Sequence, residues 1–438
     1  MHKGETSLKT YIQNGYVIDP ASRTEGKMDI LIEDGKILKI GSDFAKEELK
    51  AQVEMGKLQV IDATGLVVAP GLVDVHSHFR DPGFTYKEDI ESGSRSAAAG
   101  GYTSIVLMAN TKPTVDSLET LQYVLDKGAE TNIHIHTCCS VTMGLKGQQL
   151  TDMESLKAAG AVGFTDDGVP LLEEGLVRTA MEKVAALNVP ISFHEENPAF
   201  IENNGVNRGK ASAFYGIGGS DRQAEIDLVG RDLQIALETG AHIDIQHIST
   251  KEAVELVRQA KKKGDHIHAE ACPHHFALNE EAVIEHGTLA KMNPPLREEA
   301  DRLAIIEGLK DGTIDLIATD HAPHSAEEKA KAITEAPSGI IGLETALPIG
   351  ITYLVETGNL DMMTLLEKLT VNPAKLYHLD AGYLAEGGPA DLVIFDPKAT
   401  YVAGNYASKS TNTPFTGMEF KGLVRYTICN GQVVFKRG

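Results

Sequence analysis

Short apolar runs that alternate with helical stretches fill the chain between residues 71 and 370, and this alternation limits the fold more than any other feature. The runs predicted as strands span residues 72–76, 103–108, 133–137, 162–165, 189–194, 242–247, 266–271 and 315–319. Parallel strands need a long crossover between them, usually a helix, so this order is typical of βα units. Eight such units favour closure, and we predict an α/β protein with a (β/α)8 TIM-like barrel.

Both ends of the chain differ from the middle, because they carry short strand-like runs broken by turn signals. Asn14-Gly15, Asp34-Gly35 and Asn430-Gly431 each separate two apolar runs. Such dipeptides are strong hairpin signals. We predict that residues 1–70 and 371–438 form one small β-sandwich domain, with residues 71–370 inserted between them as the barrel.

Charge and composition exclude several classes of protein. Lys and Arg total 41 against 62 Asp and Glu, a net charge of −21, whereas proteins that bind a nucleic-acid backbone need basic surface. No apolar run approaches the roughly 20 residues that span a bilayer, and the first residues lack the apolar stretch of a signal peptide. We therefore expect a cytoplasmic protein with neither nucleic-acid nor membrane partners. The four cysteines form no Cys-x-x-Cys pair, which argues against a thiolate zinc site.

Residues that bind metals or substrates stand at the carboxyl ends of most predicted strands. They are His76, His78, Asn110, Asp166, Asp167, His194, His247, His274, Asp320 and His321. The carboxyl ends of barrel strands meet at one face, where active sites of this fold are built. A single histidine in an apolar strand is more often a hydrogen-bonded core residue, but its recurrence at successive strand ends favours a metal-dependent active site.

The histidines and aspartates predict a centre with one or two ions. His76 and His78 are two residues apart, so both side chains leave the same face of a strand and can hold one ion. Asp320 offers one carboxylate oxygen to a metal and the other to a proton. His194 and His247 can hold a second ion if Asp166 or Asp167 bridges the two.

Imidazole and carboxylate ligands suit zinc best, with manganese, cobalt or iron as alternatives. Two such ions about 3.5–4 Å apart would share a water molecule and lower its pKa towards about 7, which yields a hydroxide that attacks a carbonyl. We therefore predict a hydrolase.

Longer motifs around these residues resemble the amidohydrolase superfamily, its cyclic amidohydrolases and, within these, the dihydroorotase family of the longer bacterial type (class I). The motifs are Gly-Leu-Val-Asp-Val-His-Ser-His-Phe-Arg-Asp-Pro-Gly at 71–83, Met-Ala-Asn-Thr at 108–111, Phe-Thr-Asp-Asp-Gly at 164–168, Met-Asn-Pro-Pro-Leu-Arg at 292–297 and Ala-Thr-Asp-His-Ala-Pro-His at 318–324. The resemblance runs along nearly the whole chain. The histidine pair alone indicates only the superfamily, and the Phe-Arg-Asp-Pro-Gly and Asn-Pro-Pro-Leu-Arg segments narrow it.

The resemblance implies a role for each residue. Metal ligands would be His76, His78 and Asp320 at the first site, His194 and His247 at the second, and Asp167 between them. Asp320 would also carry the proton. Substrate contacts would come from His78, Arg80, Asn110, Asn293 and His324, and from the backbone of Ser338 and Gly339. For Arg80 the physics agrees, because a guanidinium two residues beyond a metal ligand suits a substrate carboxylate beside the metal.

The implied reaction is the reversible cyclisation of N-carbamoyl-L-aspartate to (S)-dihydroorotate, in the de novo synthesis of the pyrimidine nucleotide UMP. Ring closure consumes a proton, so acidic pH should favour it. The implied cofactor is Zn²⁺, one or two per chain. The implied assembly is a homo-oligomer, with aspartate carbamoyltransferase as a possible partner enzyme.

Two positions depart from the pattern of many relatives. Hydantoinases and some dihydroorotases bridge their metals with a carboxylated lysine on the fourth strand, but residues 160–167 contain no lysine. This favours an aspartate bridge. Ser338 stands where many relatives carry phenylalanine, so only the backbone there is expected to contact substrate.

Alternative functions remain at this stage. A dihydropyrimidinase, a hydantoinase or an allantoinase would open similar rings that lack the acidic substituent, and Arg80 argues against them. A structural dihydroorotase-like subunit of aspartate carbamoyltransferase would be expected to lose metal ligands, and none is lost. The segment 322–342, charged and bounded by Pro and Gly, is interpreted either as a mobile lid or as a fixed loop.

Overall fold

A computed structural model describes residues 9–42, 44, 49, 53, 55 and 58–438. Its strands fall into two separate sheets. No helix within these ranges is long and apolar enough to cross a membrane.

The first sheet begins with strands from the start of the chain. They are β1 (Lys9–Asp19), β2 (Thr24–Glu33), β3 (Lys36–Gly41), β4 (Leu58–Asp62) and β5 (Val67–Pro70). The strand β1 pairs antiparallel with β2 and parallel with both β4 and β5. Asp34 and Gly35 join β2 to β3 with φ angles of 50° and 75°, as a type I′ hairpin turn requires.

The hairpin predicted at Asn14-Gly15 is wrong. The strand β1 continues through both residues, and its register against β2 shifts between Ile12 and Gly15. Asn14 has a φ of 63°, and its amide donates to Asp29 Oδ1 over 2.7 Å, so the dipeptide forms a bulge inside one strand.

The second sheet is the predicted barrel. Its parallel strands are β6 (Leu72–Ser77), β7 (Tyr102–Leu107), β8 (His134–Cys139), β9 (Gly163–Thr165), β10 (Ile191–Phe193), β11 (Ile243–Ile245), β12 (Ile267–Ala271) and β13 (Leu316–Ile317). They are hydrogen-bonded in sequence order. A parallel bridge between Ser77 and His321 brings the last unit back to the first. The prediction of a (β/α)8 barrel is confirmed.

Helices follow the barrel strands and cover them. They are α1 (Ile90–Gly100), α2 (Leu118–Ala129), α3 (Met153–Ala158), α4 (Glu174–Leu187), α5 (Lys210–Tyr215), α6 (Gln223–Thr239), α7 (Lys251–Lys261), α8 (Pro273–Ala277), α9 (Glu281–His286), α10 (Glu299–Asp311), α11 (Ala326–Lys329), α12 (Ala346–Gly350), α13 (Met362–Leu369) and α14 (Val371–Leu376). Asp89 caps α1 by accepting from Ser92 N, and Ser117 caps α2 in the same way from Thr120 N. Inward apolar residues of α4, α6 and α7 join the strands in one large hydrophobic cluster.

The end of the chain returns to the first sheet with β14 (Leu392–Val402), β15 (Glu419–Cys429) and β16 (Gln432–Lys436). The sheet runs β16-β15-β14-β5-β1-β2-β3, with β4 beside β1, so strands from both termini build it. Asn430 and Gly431, with φ angles of 50° and 73°, form the second predicted hairpin turn. A hydrophobic cluster of its own, which includes Ile12, Ile30 and Leu392, supports this β module. The prediction that both termini contribute to it is confirmed.

Candidate metal-dependent active site

A cavity of about 170 Å³ opens at the carboxyl ends of the barrel strands. Its lining residues are His78, Arg80, Asn110, Asp167, Gly168, His194, His247, Met292, Asn293, Asp320, Ala322, His324, Ser338 and Gly339. Every residue to which the resemblance assigned a metal or substrate role is among them except His76, which is fully buried and contacts Asp167 and Asp320. The other strand-end candidates, Asp166, His274 and His321, do not line the cavity. The fold therefore brings the predicted residues together from segments far apart in the chain.

The histidine pair at the end of β6 faces two carboxylates. His78 Nε2 lies 3.0 Å from Asp320 Oδ1 and 3.5 Å from Asp167 Oδ2. His76 Nε2 lies 3.5 Å from the same oxygen of Asp320 and 3.4 Å from Asp167 Oδ1. Four potential donors, from β6 and from the residues that follow β6, β9 and β13, therefore converge on one point.

The second pair of histidines shares Asp167 with the first. His194 Nδ1 lies 3.7 Å and His247 Nε2 3.9 Å from Asp167 Oδ1, and the two imidazole nitrogens are 2.9 Å apart. Asp167 is thus the residue common to both groups of donors, as a bridging ligand would be.

The neighbouring Asp166 faces away from the cavity. Its carboxylate accepts from the backbone amides of Val141 and Thr142 and from the Thr142 hydroxyl. The sequence left both aspartates open as bridges, and the structure places only Asp167 beside the histidines.

Three of the site residues have left-handed backbone conformations. The φ angles are 60° at Arg80, 34° at His247 and 45° at Asp320. Residues other than glycine rarely adopt such values. At His247 and Asp320 the left-handed conformation turns the chain away from the direction of the preceding strand. The predicted strands at 242–247 and 315–319 are correspondingly shorter in the structure, which ends them at Ile245 and Ile317.

Two glutamates orient histidines of the site and were not predicted. Glu270 Oε2 lies 2.9 Å from His76 Nδ1, and Glu196 Oε2 lies 2.9 Å from His194 Nε2. A carboxylate on the outer ring nitrogen fixes the tautomer that leaves the inner nitrogen free for a metal. Glu196 stands two residues after His194, so local spacing could have indicated it. Glu270 comes from another strand and leaves no such signal.

The carboxylates and imidazoles of the site shift one another's pKa. Burial raises the pKa of Asp167, but the imidazoles of His76 and His194 outweigh it and hold that pKa well below its usual range. Burial lowers the pKa of His194, yet Asp167 and Glu196 raise it to about 10. Burial, with His194 and His76 nearby, lowers the pKa of His247 well below its usual range. Close contact with the carboxylates thus favours positive charge at this point of the cavity.

The residues present fit a metal centre. His76 Nε2, the nitrogen that faces Asp167 and Asp320, is buried, and within the described part of the chain it has no hydrogen-bond partner. Three overlapping sets of donors lie within 4.8 Å: His76 with His78 and Asp167, His76 with His247 and Asp320, and Asp167 with His194 and His247. Imidazoles and carboxylates without sulfur are the donors of catalytic zinc and related divalent ions.

Two further sets of donors contain a cysteine and lie outside this cavity. One comprises Cys272, His274 and His275, and the other His134, Asp391 and Cys429. Burial raises the pKa of both thiols well above its usual range, so neither is a thiolate at neutral pH.

A cationic wall stands beside the metal donors. Arg80 Nε donates to Pro323 O over 3.2 Å, and its Nη2 lies 3.4 Å from His324 Nε2. The Nζ of Lys87 donates to His324 Nδ1 over 3.2 Å, while His324 Nε2 donates to Ser338 O over 2.8 Å. These two bonds fix one neutral tautomer of His324, whose pKa is lowered by burial and by the charges of Arg80 and Lys87. A carboxylate is the ligand that such a wall suits.

Amides hold the other sides of the cavity. Asn110 Oδ1 accepts from His78 Nδ1 over 2.9 Å, and its Nδ2 donates to Asp167 Oδ2 over 2.9 Å. Asn412, which was not predicted, accepts from the His324 amide and donates to the carbonyls of Ala322 and Gly339. Asn412 lies between β14 and β15, so the β module contributes to the wall of the site.

Known proteins identify the family of this chain. A family model described as the amidohydrolase family matches residues 67–434. The chain belongs to the amidohydrolase family. It is therefore a hydrolase of a metal-dependent family, and the donor groups described above are its candidate metal ligands.

Relatives of this amidohydrolase cover almost its whole length. A dihydroorotase of Clostridioides difficile is 53% identical over 97% of this chain and 99% of its own. Dihydroorotases of Streptococcus pneumoniae and Clostridium acetobutylicum are 51% and 49% identical with the same coverage.

Solved structures show the same fold. L-hydantoinase (dihydropyrimidinase) from Arthrobacter aurescens has a TM-score of 0.87 and 26% identity, covering 98% of this chain and 97% of its own. The dihydropyrimidinase from Brevibacillus agri has a TM-score of 0.84 at 23% identity, with coverage of 98% and 95%. The similarity to the Brevibacillus agri enzyme, at this low identity, shows a shared fold and nothing more.

Proposed function

We propose that this amidohydrolase is a dihydroorotase, which interconverts N-carbamoyl-L-aspartate and (S)-dihydroorotate in the synthesis of pyrimidine nucleotides. The relatives that bear this name are 49–53% identical to the chain along nearly its whole length. Such identity over a full-length alignment supports the same reaction as well as the same fold.

The observation that carries the substrate assignment is the wall formed by Arg80 and His324 beside Asp320. Dihydroorotate differs from an uncharged dihydropyrimidine by one carboxylate on the ring. A guanidinium with its Nη2 at the cavity presents parallel N–H donors to such a group. The side-chain amide of Asn110 lies at the neighbouring strand end, where it can donate to the same carboxylate.

For the cofactor we infer Zn²⁺, one or two ions per chain. His76, His78 and Asp320 would hold the first ion, His194 and His247 the second, and Asp167 would bridge them. When bound, such ions supply Lewis-acid activation of a water molecule and of the ring carbonyl.

Asp320 is proposed to carry the proton. Its Oδ1 lies 3.0 Å from His78, which leaves the second oxygen available at the cavity. In the hydrolytic direction, Asp320 takes a proton from the attacking water and delivers it to the ring nitrogen as the amide bond breaks. In the synthetic direction, it takes the proton from the ureido nitrogen and gives it to the departing oxygen.

The remaining residues orient the ring. Asn293 lines the cavity, and the Ser338–Gly339 backbone lies next to His324. We propose that these amides and carbonyls hold the polar edge of the pyrimidine ring, while Arg80 holds its carboxylate. The carbonyl that reacts is thereby directed towards the metal ligands.

The second candidate is hydrolysis of an uncharged ring, as the names of the structurally similar hydantoinases suggest. Arg80 argues against it, because an uncharged ring offers no carboxylate to the half-buried guanidinium that lines the cavity. Allantoinase activity is disfavoured for the same reason. A catalytically inactive subunit is disfavoured because all the proposed metal ligands are present together. Association with aspartate carbamoyltransferase and a homo-oligomeric state stay predictions.

A substrate panel tests the proposal. Purified protein loaded with Zn²⁺ would be assayed on dihydroorotate, dihydrouracil, hydantoin and allantoin under identical conditions. We expect kcat/KM to be highest for dihydroorotate. A preference for dihydrouracil or hydantoin would assign the second candidate instead.

A further inference from the structure

Two buried lysines lie behind the cavity wall that carries Ser338 and Gly339. Lys291 precedes the segment that contains Asn293, and Lys329 ends α11. Each is 4% exposed, although lysine is rarely buried without a charged partner.

The ammonium group of Lys329 donates to backbone carbonyls of two segments, one around residue 338 and one at residue 291. Its Nζ donates to Pro337 O over 2.9 Å, to Gly339 O over 3.1 Å and to Lys291 O over 3.5 Å. The carbonyls of Pro337 and Gly339 flank Ser338, so one cation fixes the turn on which Ser338 lies.

Lys291 holds the preceding part of the same segment. Its Nζ donates to Ile333 O and to Ala336 O, each over 2.7 Å. Its backbone carbonyl accepts from Gly339 N over 2.9 Å. Together the two lysines join residues 333–339 to the chain around residue 291. These bonds favour the fixed-loop interpretation of this part of segment 322–342 over the mobile lid.

Neither lysine has a carboxylate among its described hydrogen-bond partners. Glu328 raises the pKa of Lys329 through its charge, but burial outweighs that effect. Burial lowers the pKa of Lys329 to about 7, and the charge of Lys291 acts in the same direction. Burial also lowers the pKa of Lys291. A cation in such surroundings is unfavourable until an anion comes near it.

The charge of Lys329 acts on the place proposed for the substrate carboxylate. After burial and the charges of Arg80 and Lys87, the charge of Lys329 also lowers the pKa of His324, so its field reaches that side chain. His324 donates to Ser338 O, and Lys329 holds the carbonyls on either side of Ser338.

We propose that Lys291 and Lys329 are positioning residues that make the site selective for acidic rings: they fix the Ser338–Gly339 wall and leave the buried positive charge that a substrate carboxylate neutralises. This inference rests on the proposed function. Neither lysine lines the cavity, so both act through the backbone and through their field.

The test compares Lys329→Met with Lys331→Met. Methionine keeps the length of the side chain and removes the charge and its donors. Lys331 lies on the same segment but is exposed, which makes it the matched control. We expect Lys329→Met to raise KM for dihydroorotate about tenfold or more with kcat changed little, because uniform binding of the anion is lost. Lys331→Met should leave both constants unchanged.

Two further measurements separate positioning from general destabilisation. Lys329→Arg keeps the charge, and we expect it to recover at least part of the lost affinity. Amide hydrogen exchange should become faster at residues 333–339 in Lys329→Met and stay unchanged in Lys331→Met. The same design applies to Lys291→Met, should Lys329→Met fail to fold.

The proposal is overturned if KM for dihydroorotate is unchanged in both lysine-to-methionine variants, or if only kcat falls. It is also overturned if Lys329→Met lowers thermal stability without faster exchange at residues 333–339. The exchange measurement needs no turnover. A wild-type protein inactive on dihydroorotate would therefore refute the proposed function while the role of the lysines in fixing the wall is still tested.

Discussion

The Nε2 of His78 lies 3.0 Å from Oδ1 of Asp320, although the two residues are 242 positions apart in the chain. Beside them, Ser77 and His321 pair in the bridge that joins the last barrel unit to the first. The contact that closes the barrel is therefore adjacent in sequence to the contact that assembles the proposed first metal site.

Replacing Asp320 by asparagine tests its place in proton transfer. Asparagine keeps the shape and one oxygen, but it cannot accept a proton at neutral pH. We expect kcat to fall by about 10²-fold or more, the usual contribution of a general acid–base. Metal content would be measured on the same preparation, since a loss explained by an empty site would not bear on the proton. Near-normal turnover would remove Asp320 from the chemistry.

Arg80→Met tests the carboxylate site. Removing one partner of a buried charge pair costs about 2–5 kcal/mol, so kcat/KM on dihydroorotate should fall by roughly 30-fold or more. The loss on hydantoin, which has no carboxylate, should be much smaller. Arg95→Met on the exposed face of α1 is the control. Equal losses on the two substrates would argue against carboxylate recognition by Arg80.

Glu270→Gln tests the orientation of His76. Glutamine can still contact the ring, but it lacks the charge that favours the proton on Nδ1 of His76. We expect metal affinity to fall about 10–100-fold, which competition with a chelator measures directly. Unchanged affinity would mean that Glu270 is only a buried partner of His76.

Gly339→Ala tests the closeness of the Ser338–Gly339 wall. A Cβ at this position would lie 2.6 Å from Ala322 O and 2.9 Å from His324 Nε2, with φ at +151°. We expect higher KM and a lower melting temperature. Gly358 also has a positive φ of 74° but no neighbour within 4 Å, so Gly358→Ala should lower stability and leave the kinetics unchanged. Identical kinetics in both variants would contradict the close contact.

Removal of metal tests the centre as a whole. A chelator should abolish activity, and Zn²⁺ should restore it in proportion to the ions bound per chain. Imidazole nitrogens that carry a proton in the metal-free protein must lose it before they bind Zn²⁺. Proton release should therefore accompany the titration with Zn²⁺. Full activity in a preparation shown to be metal-free would refute the mechanism.

Patterns repeated along the chain predicted much of the fold. Short apolar runs at successive intervals predicted the barrel, and their carboxyl ends indicated the histidines and aspartates proposed as metal ligands. The hairpin turns at Asp34-Gly35 and Asn430-Gly431 were predicted correctly because their chemistry is local. Asn14-Gly15 carries the same local signal, but the pairing of β1 with β2 and β5 on either side keeps the strand continuous.

Residues that act across the fold left no such pattern. Glu270, Asn412, Lys291 and Lys329 each meet their partners through tertiary contacts. Whether Asp166 or Asp167 faces the histidines depends on the direction of each side chain after β9 ends. The sequence of two adjacent aspartates does not show that direction. Thr142, from the loop after β8, decides it by binding Asp166.

The left-handed backbone at Arg80, His247 and Asp320 has an evolutionary consequence. A non-glycine residue in this region costs about 1–2 kcal/mol relative to a relaxed conformation, and glycine would relieve that cost at each position. Selection for thermal tolerance alone would thus reward the loss of these side chains. Laboratory evolution for thermal stability should therefore leave these three residues unchanged, because the proposed active site needs their side chains.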